Sequence, residues 1–146
     1  MTILFVGGSN TVCINPHIIN DTLAQLGIPT KDISTVVCGL DEGPERAGRE
    51  WGIKYNKYLD EHVPHLEQYG KGLAYVIRNK VIISHANLML MYWDGKSAGT
   101  RNLMNAGAKH GGTRVYKIQV EGIRISHPVS WDRVVPEEEW GWTSQW

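Results

Sequence analysis

Short apolar runs alternate with amphipathic stretches along most of this chain, and glycine or proline marks nearly every junction between them. Ile3 to Val6 is apolar throughout and closes on Gly7-Gly8, which predicts a short, fully buried strand. Ile14, Ile18, Ile19, Leu23 and Leu26 then recur at helical spacing until Gly27-Ile28-Pro29 supplies a stop. Ser34 to Cys38, rich in β-branched residues and ended by Gly39, predicts a second strand. Pro44 stands where a helix favours its first residue, so a short helix over Glu45 to Gly52 follows. Tyr55, Tyr58 and Leu59 suggest a third, weaker strand, and Pro64 makes His62 to Gly70 a loop.

In the second half, Leu73, Ile77, Val81 and Ser84 predict the inward stripe of a helix over Lys71 to Ser84. Leu88 to Trp93 reads as a fourth strand, Thr100 to Lys109 as a helix and Val115 to Val120 as a fifth strand. This alternation predicts a Rossmann-like α/β domain over residues 1–120, with about five parallel strands and helices on both faces. Residues 121–146 form a C-terminal extension without a clear period, carrying Pro128, Pro136 and three consecutive glutamates. Trp131, Trp140, Trp142 and Trp146 crowd this extension, which is expected to pack on the core or on a partner subunit.

Composition narrows the possible functions. A chain of 146 residues is long enough for one real core, and its formal net charge of +0 leaves no basic footprint for broad nucleic-acid binding. No apolar run approaches the roughly 18 residues needed to span a membrane, so no membrane partner is expected. The N-terminal Met1-Thr2-Ile3-Leu4 lacks the basic region of a secretory signal, and Cys13 and Cys38 show no CxxC spacing. A reduced, cytoplasmic protein is the expectation, with both cysteines as small core residues near strand ends.

Three loops fall at the carboxyl ends of predicted strands and each precedes a helix: Gly7-Gly8-Ser9-Asn10, Gly39 through Gly43-Pro44, and Asp94-Gly95-Lys96-Ser97-Ala98-Gly99-Thr100. Glycine is the default wherever a strand turns sharply, so any one of them has a purely structural explanation. Their coincidence at one sheet edge predicts a composite ligand site, where backbone amides and a helix dipole suit a phosphate. Lys71, Tyr75, Arg78 and Asn79 share one face of the following helix and offer cations, an aromatic ring and an amide to such a ligand. A merely solvated polar face would carry the same residues.

Other chemistries fare less well. His62 and His65 are separated by Pro64 and have no evident third ligand, so no metal is expected, and His85, His110 and His127 stand isolated. Gly7-Gly8-Ser9 lacks the flanks of a nucleophile elbow and the third glycine of a dinucleotide fingerprint, which disfavours a conventional NAD enzyme; no cofactor is expected.

From about Ile3 to Val120 the chain resembles the SLOG superfamily, and within it the small YspA-like nucleotide-binding proteins. The resemblance rests on Val6-Gly7-Gly8-Ser9, Cys38-Gly39, Gly43-Pro44-Glu45, Gly70-Lys71 and Arg78-Asn79. Its most specific segment is Tyr92-Trp93-Asp94-Gly95-Lys96-Ser97-Ala98-Gly99-Thr100. It implies a Rossmann-like fold that binds a nucleotide or nucleotide-derived signal at the strand ends, and homo-oligomers are common among such proteins. Related phosphoribohydrolases and deoxyribosyltransferases carry a carboxylate on the next helix, whereas Arg101-Asn102-Leu103 holds none here. The expected function is therefore binding, by sensing or sequestration, and a phage-type sponge for immune signals fits it. In this expectation Ser97 and Thr100 hold phosphate, Arg78 and Lys71 neutralise it, and Asn10, Asn79 or Asp94 meet the sugar or base. The alternatives are an N-glycosidase using Glu45 and a non-catalytic interaction module using the tryptophans.

Overall fold

The computed structural model describes residues 1–131. Five strands form its centre: β1 (Thr2–Gly8), β2 (Ile33–Cys38), β3 (Tyr58–Glu61), β4 (Leu88–Trp93) and β5 (Arg114–Glu121). Neighbours run parallel in the order β3-β2-β1-β4-β5. Five helices connect them: α1 (Pro16–Gln25), α2 (Pro44–Lys54), α3 (Leu66–Tyr69), α4 (Lys71–His85) and α5 (Ala98–Lys109). Two short strands, β6 (Arg124–Ile125) and β7 (Val129–Ser130), pair antiparallel with β5. They bring the sheet to seven strands and cover an edge that would otherwise expose unpaired backbone groups. Trp131 continues this contact by donating its backbone N–H to the Val115 carbonyl at 2.8 Å. Trp140, Trp142 and Trp146 lie outside the described residues.

The period of two in β1 divides the core. Leu4 and Val6 face a layer containing Ile19 and Leu23 of α1 and Ala47 and Trp51 of α2. Phe5 faces the opposite layer, with Ile82 and Ile83 of α4 and Leu103 and Met104 of α5. All six residues of β4 are buried, as its unbroken apolar run predicts for a central parallel strand. Tyr92 is accommodated there because its hydroxyl lies 2.7 Å from that of Thr22.

Local chemistry sets the helix ends. Asn15 caps α1 by accepting from the amides of His17 and Ile18, and Pro16 opens the first turn. Pro44 opens α2 in the same way.

Several expectations need correction. Tyr55 is the C-terminal cap of α2 rather than part of a strand, and β3 runs through Asp60 and Glu61. Within His62 to Gly70 the chain forms a short helix, α3, beyond the proline. Cys13 is exposed, while Cys38 is buried and desolvation pushes its thiol up to about 12. The largest correction concerns α4, whose buried residues are Ala74, Arg78, Ile82 and Ile83. Leu73 is 54% exposed and Ser84 is exposed, with Ile77 and Val81 only partly covered. Apolar residues occur nearly all round this helix, so its periodicity does not select a face. The face containing Arg78 turns inward because the guanidinium finds polar partners there.

Candidate functional site

Chain order places β2 and β3 on one side of β1 and β4 and β5 on the other. The helices after β1 and β4 thus leave on opposite faces, and a crevice opens beyond the carboxyl ends of these strands. A cleft of about 400 Å³ occupies that position.

One wall begins at the end of β1. Gly8 has φ +147°, and a β-carbon there would strike the Tyr92 backbone of the adjacent strand. Only glycine fits this approach, which places Ser9 so that its amide donates to the Tyr92 carbonyl at 3.0 Å. The buried Ser9 hydroxyl accepts from the Asp94 amide at 3.2 Å and lies 3.5 Å from the Thr100 hydroxyl. Ser97 caps α5, its hydroxyl accepting from the Thr100 amide and hydroxyl at 3.4 and 3.1 Å. Three hydroxyls therefore gather where α5 starts. As the first helical residues, Ala98 and Gly99 have no intrahelical acceptor for their amides.

Asp94 organises the loop itself. Its Oδ1 accepts from the amides of Lys96 and Ser97, both at 2.8 Å, and its Oδ2 accepts from the Thr11 hydroxyl at 3.1 Å. Partial burial works to raise this carboxyl, but the hydrogen bonds outweigh it and hold Asp94 below the usual aspartate value.

The facing wall comes from the loop after β2 together with α4. Arg78 meets Glu45 in a two-pronged pair, with Nη1 3.2 Å from Oε1 and Nη2 3.3 Å from Oε2. Nη1 also donates to the Gly39 carbonyl at 3.2 Å and to Asp41 at 3.4 Å, while Nε and Nη2 donate to Asn79 Oδ1. Gly39 makes room for this pair, since a β-carbon there would collide with both the Glu45 carboxylate and the Arg78 guanidinium. Desolvation lifts the Glu45 carboxyl above its ordinary value, opposed by the Arg78 charge. Tyr75 donates its hydroxyl to Asp41 at 3.2 Å; burial and then the Asp41 charge raise its pKa.

The expected residues divide into four groups. Gly8, Ser9, Asn10, Asp94, Ser97, Gly99 and Thr100 line the cleft on one wall, and Glu45, Tyr75, Arg78 and Asn79 on the other. Gly7, Gly39, Gly43 and Pro44 shape the backbone behind it, whereas Gly95 and Lys96 form the outer turn of the Asp94 loop. Lys71 is exposed and does not line the cleft, and Trp93 points into the α4–α5 layer. Trp93 nonetheless steadies the loop by donating Nε1–H to the Ser97 carbonyl at 3.0 Å. Thr11, Met91 and Leu103 complete the lining, as does Asp41. The spacing of Leu103, four residues after Gly99 on one helix face, was the signal available for it in the sequence.

Arg78 is thus not a free phosphate clamp, because its donors are already directed at Gly39, Asp41, Glu45 and Asn79. Three carboxylates (Asp41, Glu45 and Asp94) line the cleft against this single guanidinium. Such a wall suits hydroxyl donors better than several phosphates. No family model, curated protein or solved structure matches this chain.

Proposed function

We propose that the cleft binds a nucleotide-derived small molecule and holds it intact, as a sensing or sequestering protein does. The observation that carries this reading is the meeting of the Ser9, Ser97 and Thr100 hydroxyls with the open α5 amino end at the sheet's reversal point. One phosphoryl group sits there, facing amides and hydroxyls. The sugar hydroxyls donate to Asp41 and Asp94 on the two walls. The resemblance to YspA-like proteins supports the same reading, and a cytoplasmic homo-oligomer belongs with it. Because Arg78 is committed to Glu45, the ligand presents one phosphoryl group to the cleft rather than a chain of them.

A second reading follows from Glu45, which lines the cleft with its carboxyl lifted by burial and oriented by Arg78. That placement suits a general base or nucleophile for N-glycosidic cleavage. Thermal-shift screening against mononucleotides, cyclic oligonucleotides and ADP-ribose derivatives, followed by chromatography of the recovered ligand, separates the two. Binding with intact ligand supports sequestration. Release of free base that Glu45→Gln abolishes supports the enzyme, and no shift with any compound refutes both.

A further inference from the structure

Outside the lining of the cleft, the edge strand β3 meets the last turn of α4 through three side chains that the sequence leaves apart. Asp60 pairs in register with Val37, a residue of the core layer that contains α4, so Asp60 faces that helix. His62 lies two positions on, its amide bonded to the Cys38 carbonyl in continuation of the ladder, and points to the same face. His85, at the end of α4, completes the group with Nδ1 2.7 Å from Asp60 Oδ2. The imidazoles of His62 and His85 stand edge to face with centroids 4.9 Å apart.

We infer that Asp60, His62 and His85 bind one divalent transition-metal ion of the zinc class, which clamps β3 to the end of α4. One donor atom from each residue lies within 4.8 Å of the others, the only such trio among the described residues. His62 Nε2 carries the second observation. It is shut off from solvent and lies 2.8 Å from Asp60 Oδ1, at ion-pair distance, so it shares this carboxylate with His85. Both imidazoles thus turn a nitrogen toward one carboxylate, and a divalent cation that displaces the shared protons meets three donors converging on one point. Two imidazoles and one carboxylate match the donors of zinc, cobalt, nickel and iron sites and disfavour calcium or magnesium, which take oxygen. Metal–ligand bonds of about 2.0–2.2 Å require small rotations of side chains that are only partly buried, with water filling the remaining position. His65, the partner suggested by sequence proximity, takes no part.

The test uses the 146-residue chain stripped with a chelator and dialysed. Zinc or cobalt chloride is added in a calorimeter, and the cobalt form is examined by visible absorption. One equivalent per chain, a raised melting temperature and cobalt ligand-field bands are expected. Asp60→Asn and His85→Ala should each weaken binding at least tenfold, whereas His65→Ala leaves it unchanged. Far-UV circular dichroism confirms that each variant is folded. Absence of binding by the parent chain, or unchanged binding in folded His85→Ala, overturns the inference and leaves plain aspartate–histidine pairs.

Discussion

Replacing Arg78 tests whether the facing wall of the cleft is a fixed scaffold or a set of free ligand contacts. The Arg78 and Glu45 side chains are only 4% and 7% exposed, and the guanidinium meets both carboxylate oxygens. Arg78→Met removes the positive member while retaining much of the aliphatic volume, leaving Glu45 buried with the Asp41 amide as its remaining donor within this group. Breaking a buried pair from one side costs about 3–5 kcal/mol, because the abandoned charge loses its compensation. Loss of the bonds to Gly39 and Asn79 adds to this, whereas protonation of Glu45 limits it. Arg78→Met should therefore lower unfolding free energy by about 3–5 kcal/mol in urea titrations followed by circular dichroism. At about 2–4 °C per kcal/mol, that corresponds to a melting point lower by roughly 6–20 °C. The double substitution Arg78→Met with Glu45→Leu removes both charges and should recover much of the loss. A single-variant loss below about 1 kcal/mol, or a double variant worse than the single, would refute the reasoning.

Other substitutions probe the fold around this wall. Leu73→Ala, at a position 54% exposed, should change stability by no more than about 0.5 kcal/mol in the same urea assay; a core-sized loss would contradict the observed face of α4. Gly8→Ala, which forces a β-carbon against the Tyr92 backbone at φ +147°, should cost at least about 2 kcal/mol, measured by thermal unfolding. Asp94 has a lowered folded pKa, so its stabilising contribution is complete above the ordinary value of 3.8 and is lost as pH falls through the folded value. Asp94→Asn should accordingly flatten that part of the acid-side loss of stability, and an unchanged slope in pH-dependent melting would count against the hydrogen-bonded loop.

Much of the fold was legible because local signals agreed with the long-range arrangement. The apolar run Leu88 to Trp93 could be satisfied only by full burial, and it is β4 to the residue. Glycine and proline marked the strand ends where backbones must turn, so the glycine loops were placed at the correct sheet edge. The face of α4 was not legible, since Leu73, Ala74, Ile77, Val81 and Ile82 offer stripes on several sides. The choice depends on Glu45 and Asp41, more than thirty residues away in the chain. For the same reason Arg78 read as a free cation although the folded chain neutralises it. His85 looked isolated and His62 was weighed only with His65, because only the packing of α4 against the β3 edge brings both to Asp60. Trp93 illustrates the limit of motif reading: it belongs to the most specific segment, yet strand alternation turns it into the core.

Isothermal titration of the parent chain and Thr100→Val with nucleoside monophosphates, ADP-ribose and cyclic dinucleotides tests the central claim most directly. The account predicts saturable binding of at least one of these compounds by the parent chain. Thr100→Val, which removes one of the hydroxyls gathered at the α5 amino end, should weaken it by roughly ten- to a hundredfold, the effect of a lost hydrogen bond to a charged group. Absence of binding to every compound, or equal affinity in a folded Thr100→Val variant, would contradict a phosphoryl site at the start of α5.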